Sequence, residues 1–414
     1  MQSIRKYLKG DIALWGIFLL FVVVSFLPVY SASSNLVYVE GKGTTIQYFF
    51  RHFLLMSFGF VIVYVLHRFQ YRYFRPVARI GLLLAWILLF VVLLKGTTIE
   101  GANASRWLYI FGISFQPSAF AMIVLLMYVA SYLADNYGQK INFRESFIAL
   151  WVPVFITVGM VAIPNLSTGA IMFLMVILLV FIGKYPLKYI INIGFFGILL
   201  VVLFFLFVKA FPDAMPNRVD TWVSRIQVFI SEDSQENYQS ERAKMAIVSG
   251  GLFGQGAGKS VMKNLLPQSS SDFIFSIIID EYGLLGGVII IFFFVAMLLR
   301  FVAISTKSST IFGKLLVIGV GMPIVLQAFI NMGVSVGLLP VTGQNLPFIT
   351  SGGTSIWMTC LALGIVLSVS AREDKKQKKE KDSKKEENKE KISESEQKSS
   401  ISEVEDIENV TENE

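Results

Sequence analysis

The chain is short of most of what soluble enzymes and metal-binding domains are built from. One cysteine, Cys360, leaves no intrachain disulfide to form. Two histidines, His52 and His67, exclude a zinc centre of the His/Cys kind. Charged side chains make up only 16% of the 414 residues, against about 25% in soluble domains. No internal repeat is evident, which counts against the secondary-transporter folds built on one.

Apolar residues are abundant, at 54%, and they gather in long runs. Ten runs approach the roughly 20 residues that a helix needs to cross a bilayer. They cover about 13–30, 53–67, 77–94, 115–133, 147–163, 167–183, 189–211, 273–300, 312–335 and 353–371. This predicts an all-α polytopic membrane protein of ten transmembrane helices, with a large external loop at 212–271 between spans seven and eight. Residues 1–371 read as one membrane domain. Residues 372–414 hold 11 basic and 15 acidic side chains and almost nothing apolar, so they read as a disordered charged tail.

Without the tail the chain carries a net charge of +11, and this excess sets the topology. Short Lys/Arg-rich loops stay inside. Arg5, Lys6 and Lys9; Arg68, Arg72, Arg75 and Arg79; Lys140 and Arg144; Lys184 and Lys188; and Arg300, Lys307 and Lys314 fall on one face. Both termini are then expected in the cytoplasm, with the 212–271 loop outside. Arg5 and Lys6 before an apolar run, followed by Tyr30–Ser33, imitate a signal peptide. The run of about 18 residues exceeds the usual 7–15, which favours an uncleaved first span.

Three external segments hold the candidate chemistry. Residues 95–114 include Arg106 and Trp107. The long loop carries Arg218, Arg225, Arg242, Lys244, Lys259 and Lys263. Residues 336–352 are too rich in glycine and proline for a helix and read as a re-entrant segment lining a cavity. Guanidinium forks suit phosphates, so a lipid-linked phosphate or pyrophosphate is the natural partner of such a basic rim. The bland alternative is that loop cations are simply solvated. Gly250–Ser260 imitates a nucleotide P-loop but has Phe253 where the first glycine must stand. Its glycines suit tight turns or close approach, to a substrate or to a neighbouring helix.

Asp272 lies where the polar loop gives way to the eighth apolar run. A carboxylate at a membrane boundary is expensive and is a functional candidate by default. Aspartate is also a favoured helix N-cap, and the two roles are compatible. Asp280 stands eight residues on, roughly 12 Å along a helix, beyond the 5–9.5 Å of paired glycosidase carboxylates. Asp272 would therefore act alone, as a general base or a cation ligand, while Asp280 and Glu281 read as structural.

Four groups of residues, in order, resemble a known family. They are Ser105-Arg106-Trp107 with Gln116-Pro117-Ser118; Ser249-Gly250-Gly251-Leu252-Phe253-Gly254-Gln255-Gly256; Leu266-Pro267 with Asp272-Phe273-Ile274-Phe275-Ser276, Asp280-Glu281 and Gly283; and Pro340-Val341-Thr342-Gly343 with Leu346-Pro347-Phe348 and Gly352-Gly353-Thr354-Ser355. The membrane domain resembles the SEDS family (shape, elongation, division and sporulation), and its division-type members most.

The resemblance implies a glycosyltransferase that polymerises lipid II into peptidoglycan on the outer face of the bacterial cytoplasmic membrane. The implied partners are a class B penicillin-binding protein and other division proteins, with no nucleic acid. It implies Asp272 as the catalytic residue, a base for the attacking hydroxyl or the ligand of a divalent cation, magnesium or manganese, and no organic cofactor. The expected substrate and pyrophosphate site comprises Arg106, Trp107, Gln116, Arg218, Lys259, Thr342 and Ser355. The chain departs from the family at Ala119 and Met122, where glutamate and lysine are usual, and at Asn165, where aspartate is usual. The competing expectations are a flippase for a lipid-linked precursor, an elongation-type polymerase, and a scaffold without chemistry.

Overall fold

The computed structural model describes residues 7–40, 44–96, 106–110, 113–210, 238–266, 271–350 and 353–375. The predicted tail lies almost wholly outside these residues, as do Arg218 and Arg225. Ten apolar helices form the body. They are α1 (Ile12–Glu40), α2 (Thr45–Leu66), α3 (Phe74–Lys95), α4 (Pro117–Asp135), α5 (Phe143–Ala162), α6 (Leu166–Ile182), α7 (Leu187–Ala210), α10 (Ile274–Lys307), α11 (Ile311–Ser335) and α12 (Gly353–Lys375). Eight are long and apolar enough to cross a membrane, while α6 and the described part of α7 are shorter. Two further helices, α8 (Tyr238–Gly250) and α9 (Met262–Leu265), occupy the described part of the long loop.

Local chemistry sets the boundaries. The Thr44 hydroxyl accepts from the Gln47 amide and the Gln47 side chain accepts in return, so α2 starts eight residues earlier than its apolar run. His52, one residue before that run, consequently lies inside α2 and bonds Ser25 at 3.0 Å. Asn165 caps α6 by accepting from the Thr168 amide, which separates α5 from α6 across a very short turn. The first helix continues through Tyr30–Ser33, and Leu14, Trp15, Phe18 and Phe21 are buried in the core.

α4 is the central helix and packs against α3, α11 and α6. Residues Ala121–Met127 are buried on every side, the signature of a helix enclosed by others. Before it, Leu108–Ile110 (β1) and Ile113–Phe115 (β2) pair as a small antiparallel hairpin, with Tyr109 opposite Ser114. This is the one departure from all-α among the described residues.

The 336–352 segment is irregular, as its glycines and prolines predict, and Gln344 and Leu346–Thr350 are buried in protein. Phe348 pins it. Its ring packs between Phe18 and Phe21, each 5.6 Å away, and it holds a positive φ of 65°. That backbone costs a bulky residue on the order of 1–3 kcal/mol, which the surrounding packing must offset.

α10 is 34 residues long and breaks at Gly283, with φ 71° and ψ −176°, a conformation open essentially to glycine alone. The residues on either side of the break exchange hydrogen bonds with the glycine loop that follows α8. The Leu284 amide donates to Gly251 at 2.9 Å, and the Gln255 and Gly256 amides donate to Asp280 and Glu281 at 2.9 and 3.0 Å. A Cβ on Gly250 would lie 2.0 Å from the Ile279 carbonyl oxygen. Of the two uses open to these glycines, the described structure shows close backbone approach to a neighbouring helix.

Candidate active site

Asp272 sits in the turn just before α10. The cap of that helix is Phe273, with no side-chain capping bond, so the N-cap place expected for Asp272 belongs to its neighbour. The carboxylate instead meets the re-entrant segment. A Cβ added at Gly343 would lie 3.5 Å from Asp272 Oδ2 and 3.9 Å from Arg106 Nη1. One point in space is thus flanked by an acidic oxygen and a guanidinium nitrogen, drawn together from residues 166 apart in the sequence. Gly343 has φ 67°, a left-handed turn that suits glycine. The missing side chain leaves that point open.

Three elements hold this arrangement. The Arg106 Nε donates to the Pro164 carbonyl at 3.1 Å, which fixes the guanidinium against the α5–α6 turn. Asn331 of α11 donates through Nδ2 to the Asp272 carbonyl at 2.8 Å and to the Gln344 carbonyl at 2.7 Å, tying the Asp272 turn to the re-entrant segment. The Thr350 hydroxyl accepts from the Leu346 amide at 2.8 Å and donates to the Ser271 carbonyl at 3.4 Å. Two polar atoms beside this frame, Asn331 Oδ1 and Thr342 Oγ1, are buried without a hydrogen-bond partner. Each carries a penalty of about 1–3 kcal/mol until something fills it.

Gly343 also borders a cavity of about 60 Å³ between α4, α11 and α12. Its polar lining is neutral and includes Gln116, Thr168, Gln327, Gln344, Ser355 and Thr359. Gln344 donates to Thr168 at 3.0 Å. Gln116 arrives here because its amide donates to Thr354 at 3.2 Å, and Thr354 in turn donates to the Ser114 carbonyl at 3.0 Å, which docks the hairpin on α12. Towards the middle of α11 the lining becomes apolar, with Met122, Ile123, Val320 and Ile324. Ala119 and Met122 belong to this wall, and Met122 Sδ lies 3.9 Å from Gln327 Nε2.

Of the residues expected at the site, Asp272, Arg106, Thr342, Gln116 and Ser355 come together around Gly343 and the cavity. Trp107 adjoins the first strand of the hairpin. Lys259 lies exposed on the glycine loop, which hydrogen-bonds α10 around its break, roughly 16 Å along the helix from Asp272. Arg218 lies outside the described residues. Sequence reasoning missed Gln327 and Asn331, although a signal existed. They are polar, lie four residues apart inside an apolar run, and so face one side of their helix.

A second polar cluster lies below. Asp280 accepts hydrogen bonds from Ser249 and Ser260; Glu281 accepts from Ser31 and sits 3.9 Å from Lys263 Nζ. Lys263 also donates to Ser31 at 3.1 Å and to the Gly258 carbonyl at 2.7 Å. Asp280 and Glu281 are fully buried. They bind α1, α8 and α9 to α10, in keeping with the structural role expected of them.

The family model described as Cell cycle protein, that of FtsW, RodA and SpoVE, matches residues 11–375. The chain belongs to this family, the SEDS proteins. It is 32% identical to a probable peptidoglycan glycosyltransferase FtsW of Enterococcus hirae, over 91% of this chain and 96% of that one. It is 28% identical to stage V sporulation protein E of Bacillus subtilis, over 88% and 98%. Two solved structures share the SEDS fold. One comes from a study of how a peptidoglycan synthase complex coordinates polymerization and crosslinking, with TM-score 0.69 at 22% identity, covering 89% of this chain and 99% of that one. The other is the Thermus thermophilus rod shape determining protein RodA, with TM-score 0.63 at 22% identity, covering 89% and 98%. The protein is a multi-pass SEDS membrane protein.

Proposed function

We propose that this SEDS protein is a peptidoglycan glycosyltransferase that polymerises lipid II, in septal rather than elongation synthesis, on the outer face of the cytoplasmic membrane. The observation that carries the reading is the meeting of Asp272 Oδ2 and Arg106 Nη1 on one open point at Gly343. The attacking sugar hydroxyl gives its proton to the Asp272 carboxylate as its oxygen bonds the donor's anomeric carbon. The anomeric C–O bond to pyrophosphate breaks, and the leaving group keeps the electron pair. Arg106 stabilises that charge, and its bond to Pro164 holds it in place beforehand. Gln116, Thr342 and Ser355 would bind the uncharged sugar parts. Arg218, Trp107 and Lys259 remain candidates for the rest of the substrate.

No group of three or more His, Cys, Asp and Glu side chains gathers among the described residues. A single carboxylate nevertheless suits magnesium, which commonly takes one or two protein carboxylates and completes its shell with phosphates and water. Asp272 would hold such an ion, whose charge would neutralise the pyrophosphate. The partner is a class B penicillin-binding protein, a reading supported by the synthase complex among the structural relatives.

A flippase needs polar groups through the full depth of the bilayer. Here the polar lining ends near Gln327 and gives way to Met122, Val320 and Ile324, which supports the polymerase. To test this, the protein is co-purified with its transpeptidase and placed in liposomes with labelled lipid II and magnesium. Glycan strands on a gel are expected. Label crossing the bilayer with no strands formed would overturn the reading in favour of transport.

A further inference from the structure

One set of apolar side chains on α8 and its following loop is exposed among the described residues, although it belongs to the loop rather than to a span. Val248 is 80% exposed and Phe253 79%, and Met245 and Leu252 are exposed with them. Positions 245 and 248 follow helical spacing and share one face of α8, and Leu252 and Phe253 follow on the turn after it. The opposite stripe, Ala243, Ala246 and Gly250, is buried against α10. Such a two-faced helix must rest its second apolar face on something.

The backbone indicates what that is. The Leu284 and Leu285 amides donate to Gly251 and Leu252 at 2.9 and 3.3 Å, so the loop lies directly beside the residues where α10 resumes after its break. Leu284 and Leu285 are themselves exposed, in the outward stripe of a membrane-crossing helix. The exposed stripe of α8 therefore continues the lipid-facing surface of α10. Depth agrees. Counting about 20 residues back from Arg300, a cytoplasmic-face cation paired with Asp11 just before α1, reaches Glu281, a turn before Leu285. That places Leu252 and Phe253 at the edge of the hydrocarbon layer. Tyr238 and Arg242, stacked at 4.9 Å at the start of α8, are an aromatic and basic pair suited to the headgroup level.

We propose that α8 and the Leu252–Phe253 turn are seated in the outer leaflet, with Met245, Val248, Leu252 and Phe253 immersed among acyl chains. The occupant of this face is lipid, as for an in-plane amphipathic helix. Through its hydrogen bonds to α10 the seat would fix the height of the catalytic turn above the bilayer. The proposal stands whether or not the protein polymerises lipid II.

The test is spin-label accessibility on the full chain in nanodiscs of phosphatidylglycerol and phosphatidylethanolamine. Cys360 is buried, so the parent protein serves as the unlabelled control. Labels are placed by Phe253→Cys and Val248→Cys, and an aqueous reference by Gln139→Cys on an exposed turn. The expected result is a severalfold higher ratio of oxygen to nickel-chelate collisions at 253 and 248 than at 139. A nickel-chelate collision rate at 253 equal to that at 139 would overturn the proposal. So would protection from both reagents, which would mean that protein covers this face.

Discussion

The two halves of α10 lie in one helix and have almost opposite surroundings. From Ile274 to Glu281 every side chain is buried, including two carboxylates. Beyond Gly283 the buried positions thin to Gly287, Ile290, Phe294, Met297, Phe301 and Ile304, one side of the helix, while Leu284, Val288 and Phe292 face outward. Both halves are strongly apolar in sequence. The difference arises because α8, its glycine loop and α9 wrap the first half, while the outward face of the second is left exposed by the described residues. The lesson is that an apolar run here has two uses. One half spans the membrane, and the other is a protein-enclosed post that presents Asp272 to Arg106.

Substitutions in the two halves should therefore differ in cost. The largest effect is expected for Gly283→Ala. A Cβ there meets the Leu252 carbonyl oxygen at 2.2 Å, and the backbone conformation disfavours any side chain. A loss of roughly 3–5 kcal/mol, or failure to fold, is expected in thermal unfolding followed in detergent. A variant as stable as the parent would mean that the break is not needed.

Next comes Asp280→Ala, which strips the Ser249 and Ser260 hydroxyls of their buried acceptor. About 2–4 kcal/mol should be lost in the same assay, and Asp280→Asn should recover part of it. Asn331→Ala removes both donors that tie the Asp272 turn to the re-entrant segment. A stability loss of about 1–3 kcal/mol is expected, with a larger fractional fall in kcat than in substrate affinity, because the segment that positions Asp272 loosens. Equal falls in both would contradict a positioning role.

The smallest effect should come from the lipid-facing half, where Leu284→Ala should stay within about 0.5 kcal/mol. A pH scan of these assays carries a background from the far end of α2. His67 is buried beside Trp15, and burial lowers its pKa below the usual value of 6.5. A depressed histidine binds its proton more readily in the unfolded chain, so stability is full above pH 6.5 and falls as the pH drops below it. Replacing His67 with Gln should flatten that slope and leave the order of the α10 variants unchanged.

Sequence patterning makes the ten apolar helices legible, and with them the re-entrant segment, because runs of apolar residues and clusters of glycine and proline act locally. It also places Asp272 and Arg106 in loops facing one side. It does not reveal that they share a point at Gly343, since that depends on Asn331, Pro164 and Thr350 acting across the bundle. The break at Gly283 is hidden for the same reason: Ile274–Lys307 reads as one span, and only the glycine loop divides it. The N-cap expected of Asp272 failed by one residue, because the turn is held by tertiary bonds to its backbone and not by its side chain. The apolar wall at Met122 becomes intelligible once Gln327 is seen opposite it.

The central claim is that the Asp272 carboxylate takes the proton of the attacking hydroxyl, with Arg106 stabilising the leaving group and the residues around them holding both in place. The direct measurement is lipid II polymerisation by purified Asp272→Asn in complex with its transpeptidase, with thermal unfolding run in parallel. The account predicts a variant within about 1 kcal/mol of the parent in stability that forms no glycan strands. Strands formed at the parental rate by that variant would contradict it.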